Sequence, residues 1–216
     1  IHQELGIPIG IVLQPYAGTP IEGWMPREIQ MNDPRTRKYA EEMDEESAAY
    51  YPTMAKKQLE RAMQRWKRGE RKGKPVLRTP KNWGHQYPGN IFNGMIHPIM
   101  PYGIRGAIWY QGESNLNDGM LYQQKMKALV EGWRKVFGNE RLSFYWTQLA
   151  PFNYGGDPLR LPRIWEAQQT AMSMPHTGMA VITDIGNLGD IHPRNKQDVG
   201  KRLALWALAK DYKRDL

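Results

Sequence analysis

The 216 residues contain no cysteine, which excludes disulfide bridges, thiolate zinc sites and a cysteine nucleophile together. Serine is scarce as well, with Ser47, Ser114, Ser143 and Ser173 the only four, so a hydroxyl nucleophile has few places to come from. No apolar stretch approaches the ~20 residues that a membrane-spanning helix requires. The opening stretch, "IHQELGIPIG", has neither the basic start nor the apolar run of a signal segment. It reads instead as an internal position, with "HQEL" the tail of a helix begun upstream. Repeats and low-complexity tracts are missing too, and the length suits one ordinary domain with a single buried core.

Charge is present in excess but unevenly placed. The net charge is +8, yet between Lys56 and Arg78 ten Lys/Arg face two Glu, so basic and acidic residues balance over the rest of the chain. A basic tract of this kind is a solvated helix end running into a loop, with a polyanion-binding patch as the rival reading. The expectation is therefore no nucleic-acid partner and no membrane partner.

Four short runs rich in Ile, Val, Tyr and Trp read as buried strands: "IPIGIVLQ" (7–14), "IRGAIWYQ" (104–111), "LSFYWTQL" (142–149) and "MAVITDIG" (179–186). Helical spacing follows the last three, over Leu121 to Val136, Arg163 to Met174 and Asn195 to Tyr212; the last places Val199, Leu203 and Trp206 on one face. Strands alternating with helices predict an α/β layer structure with a mainly parallel sheet. Residues 33–72 depart from the alternation with a long charged helical pattern, acidic first and basic second, which reads as an insertion over about 33–80. Pro75, Pro80, Pro88 and Gly89 then close it in a loop.

In such sheets ligands bind beyond the carboxyl ends of the strands. The residues there are polar: "YAGTPIEGW", "QGESN", "QLAPFN" and "DIGNLGDIHP". One rim would thus collect Gly18, Thr19, Gln111, Gly112, Glu113, Gln148, Asp184, Asp190 and His192. Each has a plainer role available. Gly18 and Gly112 suit turns that need positive φ, Gln111 caps a sheet end, and Glu113 suits a carboxylate that accepts backbone N–H bonds. His192 stands out, because Asp190 lies two residues before it and Pro193 fixes the backbone after it. An imidazole so held is a base for a hydroxyl nucleophile. Ser47, Ser143 and Ser173 read as structural. Ser114 is near the rim but lacks the strand-turn-helix elbow of a Gly-x-Ser-x-Gly serine. Trp24, Trp109 and Tyr110 are either core or sugar-stacking surfaces.

The stretches "ELGIPIGIVLQPYAGTPIEGW", "IFNGMIHPIMPYGIRGAIWYQGESN", "LYQQKMKALVEGWRKVFG", "FYWTQLAPF" and "DIGNLGDIHPRNKQDVGKRLALWAL" resemble, in order and spacing, the sialate O-acetylesterases and related SGNH-type carbohydrate esterases. The resemblance covers nearly all of the chain outside the basic tract. It implies a flavodoxin-like three-layer α/β/α SGNH hydrolase fold and hydrolysis of acetyl esters on sugars, without metal or other cofactor, in a secreted or periplasmic protein. In that family the serine lies in a Gly-Gln-Ser-Asn-Met motif after the first strand, a motif these residues do not contain. The chain thus reads as the C-terminal portion of one esterase domain, whose serine comes from an N-terminal segment or a second polypeptide. His192 would be the general base and Asp190 its acid. Gly18 and the Gln111-Gly112 pair would stand at the oxyanion-hole blocks, with Glu113 beside them for an acetylated carbohydrate.

Two positions depart from the pattern. The family's acid precedes the histidine by three residues, where this chain has Gly189, so a Ser-His dyad with a backbone carbonyl on the ring is the alternative to a triad through Asp190. Relatives usually carry Ser-Ser-Trp-Gly-Gly-Thr where this chain has "QPYAGT", which puts Ala17 in place of a glycine. A non-catalytic carbohydrate-binding relative of the esterases is the rival function.

Overall fold

The computed structural model describes residues 1–50, 52–77 and 84–216. Arg78 and Pro80, parts of the basic tract and its closing loop, lie outside the described residues.

A four-residue helix, α1 (His2–Leu5), ends at Gly6. Helices α2 (Arg27–Asn32), α3 (Pro34–Ala48) and α4 (Pro52–Lys67) follow. The charged segment read as one helical pattern is therefore divided, since Pro52 has no N–H to continue α3 and starts a new helix instead. Asp33 caps α3, its carboxylate accepting from the Arg35 N–H at 2.9 Å. Helical turns at Phe92–Ile96 and His97–Ile99 return the chain to the sheet.

Three parallel strands, β1 (Gly106–Trp109), β2 (Ser143–Thr147) and β3 (Thr177–Ala180), lie in the order β1-β2-β3. Gly106 registers with Ser143, and Phe144 with Thr177. Helix α5 (Leu121–Val136) links β1 to β2, and α6 (Arg160–Ala171) links β2 to β3. Both cover one face, while α7 (Lys196–Lys210) covers the other.

The strand alternation of two makes these layers. Phe144 and Trp146 of β2 enter the larger core with Tyr122, Met126, Leu129 and Ile164, whereas Tyr145 points to the smaller one with Val199 and Leu203. Helix α7 approaches closely because β3 carries Gly178: a methyl group there would lie 2.4 Å from the Trp206 ring. The Trp206 indole N–H donates to the Met179 carbonyl at 2.9 Å, fixing the helix against the strand. The result is the expected three-layer α/β/α arrangement.

The first predicted strand does not form. Residues 7–14 form no ladder and are largely exposed, Ile11 at 76% and Leu13 at 78%. An apolar run becomes a strand only where another strand pairs with its N–H and carbonyl groups, and among the described residues no strand does so. Its sequel still reaches the sheet, as the turn at Gly18 and Thr19 shows below.

Candidate functional site

The chain leaves β1 through Tyr110 and Gln111, turns at Gly112 and enters a short helical turn, Glu113–Asp118. The carboxamide of Gln111 is fully engaged. Its Nε2 donates to the Thr19 carbonyl at 2.9 Å and to Asn115 Oδ1 at 2.7 Å, and its Oε1 accepts from the Tyr122 hydroxyl at 2.7 Å. Asn115 Oδ1 also accepts the Ile21 N–H at 2.9 Å, while its Nδ2 donates to Glu22 and Asp118. Beneath them Lys125 of α5 lies 2.5 Å from Glu22 Oε1 and 2.7 Å from Asp118 Oδ2.

This network clamps the 18–24 turn to the 111–118 turn although they are some ninety residues apart in sequence. Glu22 is fully buried and Lys125 nearly so. Burial alone would pull the lysine's pKa down, but the carboxylates of Glu22 and Asp118 outweigh it and hold the ammonium charged. Burial pushes the Tyr122 phenol strongly up, so it acts as a neutral donor to Gln111. Sequence reading missed Glu22, Asn115, Asp118, Tyr122 and Lys125. The available signal was Lys125 itself, a lysine among Tyr122, Met126 and Leu129 on the apolar face of an amphipathic helix.

The clamp fixes two glycine turns. Gly18 has φ +68°, the left-handed conformation expected of it. Gly112 differs from the positive-φ expectation: its backbone is extended, φ 163°, and the lack of a side chain serves close packing, because a methyl there would stand 3.2 Å from Leu149. Among the described residues no hydrogen bond takes up the N–H of Gly18 or of Gly112. Thr19 is structural, its hydroxyl accepting from the Trp24 indole at 2.8 Å and donating to the Tyr16 carbonyl. Trp24 and Trp109 are buried edge to face at 5.4 Å and form core rather than a sugar-stacking surface.

The β3–α7 loop supplies the other side. Asp184 is bound by both arms of the Arg202 guanidinium, at 2.6 and 2.5 Å, which holds its carboxyl down at about 2. The Asp190 carboxylate accepts the backbone N–H of His192 at 2.9 Å, an Asx turn. It shapes the loop, and among the described residues no hydrogen bond joins a carboxylate to the His192 ring. Pro193 is buried, His192 is exposed, and Asn195 caps α7 through the Asp198 N–H.

The two sides meet at Lys196, whose ammonium lies 4.6 Å from the centre of the Tyr110 ring. Burial lowers the Lys196 pKa, and the charges of Glu113 and Asp190 partly restore it. Burial first, then Glu113, pushes Tyr110 up to about 12. Glu113 is thus half-buried between the end of β1 and the start of α7. Gln148, also at the rim, is buried with its Oε1 unpartnered among the described residues. Ser143 lies at the opposite end of the sheet, where its hydroxyl donates to Asp211 at 2.5 Å. Ser47 belongs to α3 and Ser173 follows α6, which leaves Ser114, exposed in the 113–118 turn, as the one serine at the rim.

The model of a family described as "Carbohydrate esterase, sialic acid-specific acetylesterase" matches residues 61–209. A sialate O-acetylesterase of Rattus norvegicus is 31% identical over 242 residues, spanning 98% of this chain and 41% of the relative. The human sialate O-acetylesterase is 34% identical over 155 residues, or 56% of this chain and 27% of the relative. A crystal structure of a carbohydrate acetylesterase from Xanthomonas citri superposes with a TM-score of 0.72 at 33% identity, covering 100% of this chain and 39% of its own. The chain therefore spans about two fifths, or less, of the length of these relatives.

Proposed function

Since the chain belongs to the carbohydrate esterase family of sialic acid-specific acetylesterases, we propose that it provides the histidine and amide side of a carbohydrate O-acetylesterase. What supports this reading is the clamp, which fixes the turns of Gly18 and Gly112, whose N–H groups take no hydrogen bond among the described residues, near the strand end that Lys196 links to the start of α7. A serine hydroxyl attacks the acetyl carbonyl while the His192 imidazole takes its proton. Negative charge gathers on the carbonyl oxygen as the tetrahedral intermediate forms, and the two amides receive it, each worth on the order of 3 kcal/mol. His192 returns the proton to the departing sugar oxygen. Water then cleaves the acetyl-serine ester and releases acetate.

The serine comes from outside these residues, in a segment or partner that completes the site. Three of the four serines sit away from the rim, and Ser114 lacks both an elbow and a hydrogen bond to the imidazole. Asp190 acts on the loop backbone, so a dyad fits better than a triad. The substrate is an acetylated sugar.

Active-site labelling tests this. The protein expressed from its complete gene is treated with a fluorophosphonate and digested, and the labelled peptide is identified by mass spectrometry. We expect one labelled serine outside the 216 residues together with acetate release from an O-acetylated sugar. A label on Ser114 would refute the external serine. Sugar binding with neither labelling nor acetate release would favour a carbohydrate-binding relative.

A further inference from the structure

The end of helix α4 and the segment after it form a basic tip. Gly69, just past the helix, is left-handed at φ +76°, and the Glu70 N–H donates back to the Arg65 carbonyl at 2.9 Å. Gly73, at φ +79°, turns the chain again, and the Lys74 ammonium comes to lie 5.9 Å from the centre of the Trp66 ring. The segment is thus folded back on the end of the helix, with Pro75 buried.

Residues 61–77 carry seven Lys/Arg and one Glu, a surplus of six positive charges. Glu70 is engaged by Arg68 at 2.7 Å and by Arg65 at 3.7 Å. Among the described residues no ion pair engages Arg61, Lys67, Arg71, Lys72 or Lys74, and all five are exposed. Large apolar side chains stand in water among these cations: Trp66 is 36% exposed, Leu77 39% and Val76 79%. None of the three belongs to either core cluster. A tract that is only solvated turns its cations outward and its apolar residues inward, whereas here both face out. A soluble polyanion would be met by the cations alone. Cations interleaved with exposed Trp, Val and Leu match a surface that presents phosphate above hydrocarbon.

We propose that this tip docks the protein on an anionic lipid surface. Arg61, Lys67, Arg71 and Lys72 meet the headgroup phosphates and carboxylates. Trp66 lies at headgroup level, where an indole finds both apolar and polar surroundings, and Val76 and Leu77 enter the boundary with the acyl chains. This contact stands independently of the esterase reading, and it replaces the expectation of no membrane partner, which rested on the charge of the tract without the exposure of its apolar residues.

Vesicle co-sedimentation of the protein expressed from its complete gene tests it, with vesicles of phosphatidylcholine alone and of equal parts phosphatidylcholine and phosphatidylserine. We expect binding to the mixed vesicles and none to phosphatidylcholine alone. Arg71→Gln with Lys72→Gln is expected to weaken that binding by about tenfold or more, because each cation near the surface contributes separately. Val76→Ser with Leu77→Ser is expected to weaken it by about tenfold as well, with retention on heparin, a soluble polyanion, unchanged. Urea midpoints equal to that of wild type establish that both variants are folded. No binding of wild type to the mixed vesicles, equal binding to the two kinds of vesicle, or mixed-vesicle binding indifferent to the Val76 and Leu77 substitutions would overturn the proposal; the last of these, with strong retention on heparin, would assign the tip to a soluble polyanion instead.

Discussion

At the scale of single residues, the difference between Asp190 and the acid of a triad is a matter of which nitrogen it meets. Its oxygen accepts the backbone N–H of His192, not a ring N–H. Asparagine keeps an oxygen for that bond, so Asp190→Asn is expected to change the ester hydrolysis rate of the protein from its complete gene by no more than a few-fold. A triad aspartate changed to asparagine loses about 10⁴-fold, and steady-state kinetics on an aryl acetate distinguishes the two. His192 and Gln111 were both legible in the sequence as rim residues. What Gln111 does there was not, because its three hydrogen bonds run to Thr19, Asn115 and Tyr122, and only the last two are near in sequence.

Elements were legible where their signal is local. Helix α5 begins and ends where the 3.6-residue period placed it, and α7 within two residues of its expected ends. Helix α6 starts at Arg160 rather than Arg163, since Pro162 in the first turn forfeits no intrahelical hydrogen bond and need not exclude the residues before it. The run at 7–14 failed for the opposite reason: strand formation depends on a partner that no local pattern names. The fit of α7 onto β3 depends on Gly178, and Gly178→Ala would drive a methyl into the Trp206 ring. A loss of about 1–3 kcal/mol is expected by urea denaturation, shrinking in a Trp206→Leu background because the two substitutions share one contact. A full loss in both backgrounds would place the strain elsewhere.

For the molecule as a whole, the buried ion pair links stability to alkaline pH. Lys125 has a pKa raised above its ordinary 10.5 when folded, so the folded state keeps its proton longer than the unfolded chain. That contribution is complete below about 10.5 and is lost as pH rises through the raised value. Burial of Tyr122 adds to the same decline, since its phenol also titrates later in the fold than outside it. Replacing Lys125 with Met leaves Glu22 and Asp118 in place without their cation, at a cost of about 3–5 kcal/mol near neutral pH. Urea midpoints for wild type and Lys125→Met should be well separated at pH 7 and converge above pH ~10.5. A constant gap would show that the pair does not titrate as described. The sequence announced this coupling only faintly, as one lysine out of place on an apolar face, because its partners at Glu22 and Asp118 come together through the fold.

The central claim is that His192 is the base of an acyl transfer whose oxyanion is held by the Gly18 and Gly112 amides. Its most direct test is the aryl-acetate kcat/KM of His192→Ala against wild type, both expressed from the complete gene. The account predicts a loss of at least about 10³-fold with the urea midpoint unchanged, as expected for an exposed side chain that serves chemistry rather than stability. Equal rates for the two proteins would contradict it.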